Sequence, residues 1–251
     1  MQQIVGSSDV KKNELKPHLS KYWCIGPKQD AAFVAHMEDV LGVYTRPFDP
    51  SRPLVCLDET SKQLITETRP ALSCKPSQSG KPGHVKRVDF EYRRHGTASV
   101  FMMSVPLEGK RHVRVRDHRK REDFAEVVRE LCDELYPDAE KIVLVMDQLN
   151  THNIASLYQA FEPAEARRLA EKLEIHHTPK QGSWLNMAEI ELSVLSRQCI
   201  GDYFETSEQL ADAIAIWEDE RNKANVQTNW QFTTADARIR LIGLYPTTSV
   251  G

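Results

Sequence analysis

The apolar positions of this chain follow two rhythms, and the switches between them mark out its elements. Residues 27–44, PKQDAAFVAHMEDVLGVY, set Phe33, Val34, Met37, Val40 and Leu41 at helical spacing, with Asp30 as the cap. TRPFDPSRP then holds three prolines in nine residues and reads as a loop. Leu54–Leu57 is a short apolar run ending on Asp58-Glu59, which predicts a buried strand delivering an acid at its carboxyl end. Residues 69–84, rich in Pro, Gly and Ser, read as a loop or flap. Val85–Tyr92 and Thr97–Val105 predict an antiparallel hairpin turning at 93–96. In 110–116, Arg111, Val113 and Val115 alternate with His112, Arg114 and Arg116, the pattern of an edge strand with one charged face.

At Asp123 the period changes. Phe124, Val127, Val128, Leu131 and Leu135 predict a helix with Asp123 and Glu126 as its capping box, ended by Pro137. Residues 141–147, KIVLVMD, are five apolar residues between a lysine and Asp147, the mark of a strand buried on both faces. Residues 153–171 predict helices broken at Pro163, Leu173–His177 a strand and Leu185–Cys199 a helix. A last helix, capped by Thr206 and Gln209, carries Leu210, Ala213, Ile214 and Trp217 on one face. Strands and helices do not alternate in the first half, which disfavours a doubly wound sheet. The order fits an α/β fold with a ribonuclease-H-like (retroviral-integrase-like) mixed five-stranded sheet flanked by helices.

Composition narrows the class without naming a partner. The chain has 251 residues, 40% hydrophobic and 27% charged, which is ordinary for a globular protein. No apolar stretch approaches a membrane span, and MQQIVGSSDVKK lacks the order of a signal peptide, so the expectation is a cytoplasmic protein. Five scattered cysteines without a CxxC pair argue against a disulfide framework or a structural zinc site. The net charge of −3 announces no nucleic-acid partner. The distribution is more telling, because KRHVRVRDHRKR (110–121) and KPGHVKRVDFEYRR (81–94) concentrate positive charge suited to phosphate contact.

Chemistry enters with the acids. Adjacent strands lie about 5 Å apart, so Asp58 and Asp147 on neighbouring strands would share a hard cation. Two crowded carboxylates repel unless a metal resolves them, and oxygen ligands favour Mg²⁺ or Mn²⁺. Helix 185–199 offers a third acid, Glu189 or Glu191, and the helical wheel does not choose between them. His176 and His177 point to opposite faces of a strand and are not co-ligands.

LVCLDET, VLVMDQLNTH and HTPKQGSWLNMAEIELSVLSR together resemble the three acidic motifs of bacterial insertion-sequence transposases of the IS-six-thirty family, mariner superfamily. The resemblance runs from about Lys11 to Pro246. It implies a DDE superfamily endonuclease core with catalytic and metal-binding Asp58, Asp147 and Glu189, and it leaves Glu191 as a helix-surface residue. It further implies two Mg²⁺ (or Mn²⁺) ions and a homodimer working on double-stranded DNA, both transposon inverted-repeat ends and target. Water would cut the transposon end, and the freed 3′ hydroxyl would join target DNA (DNA transposition and integration) in a bacterial, nucleoid-associated setting. Arg111, Arg114, Arg116, Asn150, His152 and Trp184 become candidate DNA contacts. Against that, Asn150 and His152 also suit a turn, and Trp184 is read foremost as an anchor for its helix.

The family carries helix-turn-helix modules ahead of the core, and this chain begins near the end of that region. Residues 1–50 are therefore expected to be a remnant of the DNA-binding region with a linker helix. The core would occupy 51–205, and 206–251 would be a helical extension packed on it. The alternative is a truncated, catalytically idle remnant that binds DNA or transposase subunits as an inhibitor.

Overall fold

A computed structural model describes residues 30–69, 72–76, 83–85, 87 and 91–247. The expectations for residues 1–29 lie outside them. Five strands, β1 (Leu54–Glu67), β2 (Tyr92–Val105), β3 (Lys110–Arg116), β4 (Ile142–Met146) and β5 (Leu173–His177), form one sheet in the order β3-β2-β1-β4-β5. The first three run antiparallel, and β4 and β5 join parallel to β1.

The strands sort their side chains by alternation into two apolar layers. On one face, Leu54, Cys56, Val100, Met102, Val143 and Val145 pack under α1 (Ala31–Tyr44), α5 (Met187–Gln198), α6 (Ser207–Lys223) and α7 (Thr234–Arg240). On the other, Val55, Leu57, Phe101, Met103, Leu144 and Met146 meet α2 (Arg121–Glu130), α3 (Ile154–Ala160) and α4 (Pro163–Lys172). Both faces of β4 are covered, which is why its sequence is apolar without alternation.

Several local expectations hold. Asp30 caps α1 by accepting from the Ala32 and Phe33 N–H groups. Pro163 begins α4, Thr206 caps α6, and β3 is an edge strand. Three expectations need correction. Asp123 does not begin its helix. It lies in the first turn and accepts from the Lys120 N–H, while α2 runs into a π-helical turn at Leu131–Leu135.

The expected turn at 93–96 lies inside β2, whose partner is β1 rather than the segment at Val85–Tyr92. Much of that segment falls outside the described residues. Leu64 faces both His95 and Gly96, a bulge at which Gly96 takes φ +102°, a value that side chains disfavour.

Strand β1 does not end at Asp58. Its pairing with β4 stops at Cys56–Val145, but pairing with β2 continues to Glu67. Beyond the sheet only one side of β1 is paired, and its residues there are mostly part-exposed, so ETSKQ needs no apolar pattern.

Glu191 is also corrected: only 1% of its surface is exposed, and its carboxylate takes Arg111 at 2.8 Å and Arg221 at 3.3 Å. Arg111, equally buried, also donates to the Gly109 and Val226 carbonyls. This cluster ties β3, α5 and α6 together. Removing one member of a buried pair leaves the other charged and unsolvated, at a cost of about 3–5 kcal/mol. Glu191→Ala should therefore lose about that much in urea unfolding, whereas Glu189→Ala, at an exposed position, should lose less than about 1 kcal/mol. The double variant Arg111→Met/Glu191→Leu should recover most of the loss.

Candidate active site

The register of β1 on β4 pairs Leu54 with Val143, Val55 with Leu144 and Cys56 with Val145. Two residues further along each strand stand Asp58 and Asp147, just where the parallel ladder gives out. Asp58 lies on the α5 side of the sheet and is 8% exposed. Asp147 is the first residue after β4 and is part-exposed. Glu189 lies on the exposed first turn of α5.

These acids feel one another. Burial first, then the carboxylates of Glu189, Asp147 and Glu59, push the Asp58 pKa up to about 7, although the Glu59 N–H opposes the shift.

A histidine lies behind Asp147. His152, 1% exposed, meets Asp147 Oδ1 through Nδ1 at 2.6 Å. Its Nε2 lies 3.0 Å from Glu59 Oε2, an ionic contact without aligned hydrogen-bond geometry. Its ring packs on Phe124, with centroids 5.0 Å apart. Burial alone would lower the His152 pKa, but the two carboxylates outweigh it and raise the value to about 9. Burial likewise works against ionised Asp147, yet His152 and the Leu149 N–H hold its carboxyl below the usual range.

The β1 pleat explains why Glu59 serves here. It alternates with Asp58, so one residue faces α5 while the next faces the α2 side and reaches His152. Sequence inspection passed over Glu59. Its signal was the doublet Asp58-Glu59, which in a strand supplies both faces with an acid.

The other candidates divide. Arg111 is corrected as a DNA contact, because its guanidinium is committed internally to Glu191 and two carbonyls. Arg114 and Arg116 both pair with Glu130 on α2, which offsets part of their charge. Trp184 packs edge-on against Phe232, with centroids 6.1 Å apart, in keeping with an anchor. Asn150 is exposed. His176 engages Asp39 and Glu174, while His177 meets the Asp147 carbonyl, so the pair is split as expected. Asn186, quoted only as part of a motif, bridges β1 and α5. A cleft of about 320 Å³ around Arg46, Phe48, Arg52 and Glu174, which also touches Leu54 and Val143, lies at the opposite ends of β1 and β4.

Among the described residues, no three His, Cys, Asp or Glu side chains are yet gathered closely enough to enclose an ion. The donor set nevertheless suits a hard divalent cation: oxygen ligands, one of them buried and destabilised by like charge.

A ribonuclease-H-like sheet with acids from two adjacent strands and a helix defines a class of nuclease-like folds. Residues 53–211 match the DDE superfamily endonuclease family, and the chain belongs to it. No curated protein sequence matches. The fold is similar to the Mos1 mariner paired end complex with Mn (TM-score 0.56, 12% identity), over 86% of this chain and 64% of that one. It is also similar to the Mos1 strand transfer complex (TM-score 0.57, 11% identity), over 86% and 63%. This chain thus spans less than two thirds of those two proteins. A third likeness, to the Mos1 paired end complex with Mg, covers 96% of this chain and 70% of that one at TM-score 0.54 and 11% identity. No described helix is long and apolar enough to cross a membrane.

The charge crowding has a measurable consequence. An acid with a raised folded-state pKa binds protons longer in the folded than in the unfolded state. Its contribution is therefore complete at low pH and lost as pH rises from about 3.8 to about 7. For His152 the loss runs from 6.5 to about 9. The metal-free protein should lose stability steadily from pH 5 to pH 9, as followed by thermal unfolding in chelator. Asp58→Asn should flatten the lower half of that slope and raise stability at pH 8 by on the order of a few kcal/mol. His152→Gln should flatten the upper half.

Proposed function

We propose that this chain is the catalytic core of a DDE transposase of the IS-six-thirty kind. It would cut double-stranded DNA at transposon ends and transfer the freed strand into target DNA. What supports the reading is the register that sets Asp58 and Asp147 at the end of the β1–β4 ladder, with Glu189 on the first turn of α5, inside a chain of the DDE superfamily endonuclease family.

Asp58, Asp147 and Glu189 would hold the two Mg²⁺ or Mn²⁺ ions. Bound there, the ions supply Lewis-acid stabilisation of the attacking and leaving oxygens of a phosphodiester. The protein's own residues do the rest. His152 holds Asp147 from behind and offsets one negative charge in the cluster. Ordering of Asp147 by the Leu149 N–H limits reorganisation when ligands arrive.

The partners follow from the same reading: inverted-repeat DNA, target DNA and a second copy of the chain holding the other end. Exposed Asn150, three residues after Asp147, and Arg119, 4.0 Å from Glu59, suit backbone phosphates better than the internally paired Arg111.

Metal-dependent nicking of a supercoiled plasmid tests the reading. Wild type should nick with Mn²⁺ or Mg²⁺ and not in excess chelator. Asp147→Ala and Glu189→Gln should fall to buffer background while keeping their circular dichroism, and a folded Glu191→Gln should still cut. Equal cleavage by wild type and Asp147→Ala would overturn the assignment. Duplex binding in a gel shift without any cleavage would favour the inhibitor remnant instead.

A further inference from the structure

We infer that Asn186 is a positioning residue that orients the Asp58 carboxylate and sets its spacing from Glu189. The inference rests on reading these acids as a divalent-ion site. Asn186 is 1% exposed and spends its whole side chain on three partners, two in β1 and one in α5. Its Nδ2 donates to the Leu57 carbonyl at 2.9 Å and to Asp58 Oδ2 at 3.2 Å. Its Oδ1 accepts from the Ala188 N–H at 3.1 Å, capping α5. Its backbone carbonyl accepts from the Glu189 N–H at 3.1 Å.

One residue thus touches the first acid and begins the helix turn that carries the third. Only an amide serves both ends. Serine caps a helix about as well as asparagine but is too short to keep the donor contacts, and aspartate would set another anion against Asp58 and a carbonyl. Asp58 Oδ1 is meanwhile fixed by the Glu59 N–H at 2.8 Å. Each oxygen of Asp58 therefore has one protein donor that sets its direction and a lone pair left for another ligand. Second-layer partners of this type typically tune metal affinity 10- to 100-fold.

A control residue braces the same turn without touching Asp58. Tyr44 of α1 donates its hydroxyl to the Leu185 carbonyl at 2.6 Å. Tyr44→Phe therefore loosens the turn before α5 and leaves both Asn186 contacts with β1 in place.

Mn²⁺ binding to the full chain without DNA, read from the free-Mn²⁺ electron paramagnetic resonance signal, distinguishes the roles. Unfolding midpoints are measured in parallel. Asn186→Ser should weaken Mn²⁺ binding about tenfold or more, whereas Tyr44→Phe should stay within about twofold of wild type, even where both midpoints drop. Should Asn186→Ser fail to fold, Asn186→Thr, another capping residue, carries the same expectation. Wild-type affinity in the folded Ser or Thr variant, or equal weakening by Tyr44→Phe, would overturn the inference. If wild type bound no Mn²⁺, or Asp147→Ala bound it as well as wild type, the metal-site reading itself would fail, and the role of Asn186 with it.

Discussion

Negative charge packed at the end of the β1–β4 ladder is the constraint around which this fold is arranged. Asp58, Glu59, Asp147 and Glu189 come from the middle of β1, the end of β4 and a helix, and burial makes the repulsion on Asp58 worse. The protein offsets it unevenly. Asp147 and Glu59 receive His152, a buried ring with a carboxylate at each nitrogen. Asp58 receives only neutral donors, the Glu59 N–H and the Asn186 amide. That asymmetry leaves Asp58 the least comfortable of the acids. An incoming divalent cation would relieve its strain the most.

The arginines of β3 are spent within the protein. The basic run at 110–121 suggested a surface for phosphate, yet its first three arginines are spent on carboxylates. Arg111 is sealed against Glu191, and Arg114 and Arg116 share Glu130. The strand alternates its arginines between two faces, and each face found a glutamate on the helix covering it. Past Arg116 the run leaves the sheet. His118, Arg119 and Lys120 are exposed, and Arg119 stands 4.0 Å from Glu59 at the edge of the acids. Cationic surface near the candidate site therefore comes from the loop after β3.

What the sequence made legible depended on whether a local pattern had one physical cause. Strand β4 was plain because burial on both faces leaves an uninterrupted apolar run, and Asp30 and Thr206 were plain because capping is local. Strand β1 was read too short because its outer half pairs on one side only and so carries a polar sequence that resembles a loop. The supposed turn at 93–96 misled for a related reason: Gly96 serves a bulge, and a glycine alone does not distinguish a bulge from a turn. Of the site, Asp58 and Asp147 were visible as acids ending apolar runs. The choice between Glu189 and Glu191 was not, since it turns on Arg111, about eighty residues earlier in the chain, sitting opposite one of them. Glu59 and Asn186 act only through contacts across the fold.

The family match at 53–211 and the structural unit that supports the acids do not coincide. The apolar layer beneath α5 draws Met37, Val40, Leu41 and Tyr44 from α1, and Trp217, Ala237 and Leu244 from beyond residue 211. Tyr44 reaches through this layer to the turn before α5, and its ring lies against Trp230, with centroids 5.1 Å apart. Asp30 at the start of α1 closes the circuit by donating its N–H to the Leu244 carbonyl. The helix bearing Glu189 is therefore held from both sides, by Asn186 against β1 and by a belt of residues outside the matched span. The matched segment contains the acids, while the elements flanking it fix where the third acid stands.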